Sequence, residues 1–74
     1  MSEKMNNFER LAERRVNEVI KKIRLVGNLA NRNNYSYSEQ HVKKIFDGID
    51  AEVRILKAKF KEEEQLSEKF SFKN

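Results

Sequence analysis

The chain has 74 residues, no cysteine, no proline and one histidine, and carries a net charge of +4 with 38% charged side chains. That length allows one domain with a small core, and the composition excludes disulfides, thiolate metal sites and a histidine-rich metal site. The opening residues MSEKMNNFER are charged and amidated where a signal peptide needs an apolar run, and no apolar run of about eighteen residues occurs, so we expect a soluble, cytoplasmic protein with no membrane association.

The first predicted element is a long helix over about residues 5–31. From Phe8 the apolar positions run Ala12, Val16, Val19, Ile23, Val26 and Ala30, in steps of three or four, which places them on one helix face. Two seven-residue series within that stripe, Ala12–Val19–Val26 and Val16–Ile23–Ala30, make it usable as a packing seam. Gly27 interrupts the helix former pattern, and a close helix approach would account for it. Leu11, Leu25 and Leu29 fall together on a flank away from the stripe and are the expected oligomer interface.

A turn over about 32–37 follows. Asparagine suits it, because Asn tolerates left-handed backbone angles and hydrogen-bonds its own main chain. The second helix is predicted over about 38–65, with Val42–Ile49–Leu56 and Phe46–Val53–Phe60 as its seven-residue series and Ile45 widening the seam. Ser36 with Glu39 has capping-box spacing, and Ser38 could equally accept the first amide protons. Ile55, Leu66 and Phe70 lie off the seam, and a frayed tail is expected over 66–74.

A connection this short predicts an antiparallel two-helix hairpin, with Ile23 facing Ile49, Val16 facing Leu56, Ala12 facing Phe60 and Ala30 near Val42. Such a pair covers one side of each helix and rarely offsets the chain entropy of ~1.5 kcal/mol per ordered residue, so the all-α hairpin is expected to dimerise into a four-helix bundle.

The positive charge is concentrated. Residues 1–34 hold eight basic and four acidic side chains, whereas residues 35–74 hold eight of each. No acid occurs between Glu18 and Glu39, a gap that contains Lys21, Lys22, Arg24 and Arg32. At the other end Glu9 and Glu13 are expected near Lys57, Lys59 and Lys61, and Glu62, Glu63 and Glu64 near Lys4 and Arg10. Exposed pairs of this kind contribute only ~0–1 kcal/mol each and set alignment more than stability.

Arg24, Asn28, Asn31 and Arg32 form a polar ribbon beside the seam, and Tyr35 and Tyr37 add flat faces for stacking. Two arginines can fork around a phosphate or carboxylate, with donors from the asparagines and from the amides that begin the second helix. These six residues are the candidate partner- or anion-binding site. Each also has a plainer role: the arginines as solvated or paired groups, the asparagines as turn formers, and the tyrosines as a lid over a small bundle. His41 reads as an exposed polar residue with no nucleophile or acid beside it.

No catalytic constellation can be assembled, so we expect no enzyme and no cofactor. The leading expectation is a small interaction or regulatory protein that binds a macromolecular partner through its basic Asn/Arg/Tyr end. Nucleic-acid or nucleotide binding at that end is an alternative, and a structural subunit joined through the leucine flank is another.

The run IRLVGNLANRNNYSYSEQHVKKIFDGIDAEVRILKAKF resembles a family of short bacterial proteins, also found on phages and other mobile elements. They share an arginine-glycine-asparagine stretch, an NYSY-like turn and a terminal KAKF. The resemblance covers about residues 10–60 and implies a two-helix fold and a bacterial or phage origin. It carries no activity and no catalytic residue over to this chain.

Overall fold

A computed structural model describes the backbone of residues 2–69 and the side chains of residues 2–65. Among the described residues the chain has no strand and two α-helices: α1, Glu3–Gly27, and α2, Glu39–Lys69. It divides between Ser36 and Tyr37 into one unit built on each helix.

α1 starts two residues before the predicted position because a serine caps it. Ser2 has an extended backbone, and its Oγ accepts the Met5 N–H at 3.1 Å. The Asn6 N–H donates to the Ser2 carbonyl at 3.1 Å, and Glu3 places a carboxylate in the positively polarised first turn. At the other end the α geometry stops at Gly27 and the chain tightens into one 3-10 turn, Asn28–Ala30. The Asn28 N–H is shared among the carbonyls of Arg24, Leu25 and Val26, the kind of shared bond in which an α-helix commonly ends. The predicted single helix to residue 31 is therefore a helix to 27 plus a tighter turn.

A Cβ built on Gly27 meets nothing within 4 Å. The glycine marks the change from α to 3-10 geometry. Gly48, in the middle of α2, also has open space around its missing Cβ. Its only consequence within the helix is a loss of backbone order, so Gly48→Ala should stabilise α2 by roughly 0.5–1 kcal/mol. A rise in the thermal midpoint of several degrees, about 4–8 °C per kcal/mol at this chain length, is the expected reading. A fall would show that another backbone packs on Gly48.

The turn is organised by Asn31. Its Oδ1 accepts the Asn33 N–H at 2.9 Å, and its carbonyl accepts the N–H groups of Asn34 at 3.1 Å and Tyr35 at 2.9 Å. The expected use of asparagine to bond its own main chain is met here. Its tolerance of left-handed angles is not used, since no described residue has a positive φ.

α2 begins at Glu39 and is capped by Ser38, which decides between the two candidate serines. The expected partner of a capping box, a glutamate three residues on, is replaced by a histidine: Ser38 Oγ accepts the His41 N–H at 3.3 Å, and His41 Nδ1 accepts the Ser38 N–H at 2.9 Å. The Val42 N–H closes the first turn on the Ser38 carbonyl at 3.2 Å. One turn on, Lys43 Nζ pairs with Asp47 Oδ2 at 2.8 Å in the favourable i, i+4 relation.

α2 runs four residues past the expected end at 65. The run KEEEQLSEK contains strong helix formers and no breaker, so nothing stops the helix there. The rest of the expected frayed tail, from Phe70 onward, lies outside the described residues, as do the side chain of Leu66 and all of Phe70.

No described side chain is buried. On α1 the stripe includes Met5 and Ile20 as well as the predicted positions, and most of the large apolar side chains of both stripes stand between 38% and 57% exposed. Ala12, Val26, Val42 and Ile49 are half-buried.

Candidate interaction site

Five of the six candidate site residues belong to the first unit. Arg24 and Asn28 lie four residues apart on one face of the helical segment, and the Asn28 N–H is one of the groups that ends α1. Asn31 and Arg32 follow in the turn, and the Tyr35 N–H is fixed to the Asn31 carbonyl. Arg24, Asn28, Asn31 and Arg32 are all exposed, and Tyr35 presents about half of its surface, 49%. Tyr37 belongs to the second unit and is half-buried.

The turn therefore consumes part of the donor and acceptor set expected for a ligand. Asn31 Oδ1 is engaged by Asn33, so Asn31 is first a turn former. The amides at the start of α2 are also partly used: those of Ser38 and His41 are satisfied by each other's side chains. An anion at this end would have to be held mainly by the guanidinium groups and side-chain amides.

α1 adds a feature that the sequence reading missed. Arg10, Arg14, Asn17, Lys21, Arg24 and Asn28 follow one another in alternating steps of four and three, and all are exposed. Helical geometry lines them along one strip, with Arg10 and Arg24 about 21 Å apart along the axis at ~1.5 Å per residue. The signal is in the sequence as two seven-residue series, Arg10–Asn17–Arg24 and Arg14–Lys21–Asn28, which lie outside the apolar series. The local cationic patch is thus the turn-proximal end of a longer basic ribbon.

The leucine flank separates on the helix. Leu25 and Leu29 are four residues apart and 54% and 46% exposed, making one small apolar patch. Leu11 is half-buried and stands 14 residues before Leu25, about 21 Å away, with Glu18 on the same line between them. It does not share their patch.

Among the described residues no group of His, Asp and Glu side chains is arranged to hold a metal ion, and no helix is long and apolar enough to cross a membrane. No protein-family model matches the chain, and no curated protein or solved structure matches it significantly.

Proposed function

We propose that this chain is a non-enzymatic interaction protein of the bacterial or phage cytoplasm, of the kind that small regulators and inhibitors from mobile elements represent. Its two helices pair through their apolar stripes as an antiparallel hairpin, two copies form a four-helix bundle, and the segment from Arg24 to Tyr37 contacts a macromolecular partner. One observation carries the reading: both helices present periodic stripes of large apolar side chains that stand mostly exposed in the single chain. Exposed apolar area of that extent on a soluble helix marks a surface meant to be covered.

The test of the contact segment is the double variant Arg24→Ala/Arg32→Ala. Capture of a native-host protein by the wild-type chain should be lost in the variant, while helicity by circular dichroism and oligomer mass stay unchanged. Undiminished capture would remove these arginines from the contact.

A second reading is favoured by the basic ribbon Arg10–Arg14–Lys21–Arg24: binding of a nucleic-acid backbone along α1. Its mark is salt. With about four phosphate contacts, affinity for a DNA duplex should fall on the order of 100-fold between 50 and 200 mM salt. Affinity that ignores salt, or no binding at 50 mM, would leave the protein-partner reading alone.

A further inference from the structure

We infer that Ser38 and His41 form a proton-sensitive cap in which the neutral imidazole holds the Ser38 N–H and gives it up on protonation. The bonds are reciprocal. The His41 N–H donates to Ser38 Oγ at 3.3 Å, and the Ser38 N–H donates to His41 Nδ1 at 2.9 Å. Ser38 Oγ also lies 3.2 Å from Nδ1.

This is the geometry of a capping box with histidine in the place of glutamate or glutamine. The substitution changes the chemistry in one respect. A carboxylate or amide oxygen accepts throughout the neutral and mildly acidic range, whereas Nδ1 accepts only while it carries no proton. The capped state therefore requires the tautomer with its proton on Nε2. An imidazolium has donors at both nitrogens, so protonation places an N–H against the Ser38 N–H and removes the acceptor.

The surroundings act in both directions. The charged groups within about one turn of His41 on its own helix are Glu39, Lys43 and Lys44, and the Lys43 ammonium is held by Asp47 at 2.8 Å. Glu39 brings a negative charge near the ring, and Lys44 and the positively polarised amide end of α2 bring positive charge. The sign follows from the acceptor. The Ser38 N–H bond is present while the imidazole is neutral and is lost when Nδ1 takes a proton.

The consequence is local to the segment that precedes α2. The Ser38 N–H then loses its acceptor, while the His41 N–H and Val42 N–H bonds to Ser38 remain, so the change falls on the residue that joins the linking segment to α2. The device needs no partner, so its test is independent of the function proposed above.

The experiment follows the 15N-labelled full chain by NMR from pH 8 to pH 5. At pH 8 the imidazole should show Nδ1 unprotonated and Nε2 protonated. On acidification the Ser38 amide resonance should move with the same midpoint as the imidazole, and its protection from exchange, corrected for intrinsic rate, should fall about five-fold, the value of one lost hydrogen bond. His41→Gln should hold the Ser38 amide protected at both pH values, because a glutamine oxygen accepts without titrating, and His41→Ala should leave it unprotected at both. In Ser38→Ala the amide at position 38 should still follow the imidazole, since the backbone donor remains. A proton on Nδ1 at pH 8, or a position-38 amide that ignores the imidazole titration in both the wild type and Ser38→Ala, would overturn the inference.

Discussion

Changing Ile23 and Leu56 together to aspartate should convert the proposed four-helix dimer into a largely unfolded monomer. Ile23 lies at the centre of the α1 stripe and is 47% exposed in the single chain, and Leu56 occupies the corresponding seam of α2. If the stripes pair, each of these side chains becomes core. An aspartate there loses the apolar transfer energy and buries a carboxylate without a partner, about 3 kcal/mol or more per site. A domain of this length has a total stability of only roughly 4–11 kcal/mol, so two such sites are enough to unfold it. The ellipticity at 222 nm should fall by more than half, and sedimentation should report the monomer mass. Lys44→Ala, an exposed change off the seam, should alter neither. A double aspartate variant with wild-type helicity and mass would mean that the stripes are not covered by pairing, and the bundle would have to be given up.

How far the sequence already carried this picture depends on the residue. The two helices were legible because Ala12, Val16, Val19 and Ile23, and likewise Val42, Phe46, Ile49 and Val53, repeat at helical steps that no strand would show. Their ends were less so. The apolar stripe points to a start near residue 5, whereas α1 begins at Glu3 because Ser2 Oγ accepts the amide N–H three residues on. At the other end the apolar spacing continues to Ala30, although the hydrogen bonding changes after Gly27; side-chain spacing is nearly blind to the change from α to 3-10 over a single turn. Capping of α2 was foreseen, but not its partner. His41 was set down as an exposed polar residue because capping patterns are written with glutamate and glutamine, and nothing in composition or periodicity shows that an imidazole nitrogen can take the same bond.

The candidate site was legible to a similar degree. Arg24 and Asn28 share a face, as their spacing required, whereas Asn31 turned out to spend its side-chain oxygen on the turn. Whether an asparagine closes a loop or meets a ligand is decided by the backbone around it, which the sequence does not display. The basic ribbon running back to Arg10 needed only the same periodicity test applied to charges.

Leu25→Asp/Leu29→Asp should separate the copies of the chain while sparing its helices. These two side chains, one in the last turn of α1 and one in the 3-10 turn that follows it, form a patch away from the stripe that would face α2 within a hairpin, so their expected cover is a second copy. Each has about half of its surface still to bury, and replacing both with aspartate should weaken association by roughly 3 kcal/mol, or about 100-fold in Kd. At micromolar concentration, light scattering behind a sizing column should then report the monomer, with the ellipticity reduced far less than by the seam variant. Leu11→Asp provides the contrast. It stands about 21 Å from the patch by helical rise and is already half-buried, so it should leave the assembly mass intact. If the double variant still runs at the wild-type mass, the flank is not the joint between copies. If Leu11→Asp dissociates the assembly as completely as the double variant does, the interface spans the length of α1, Glu18 included.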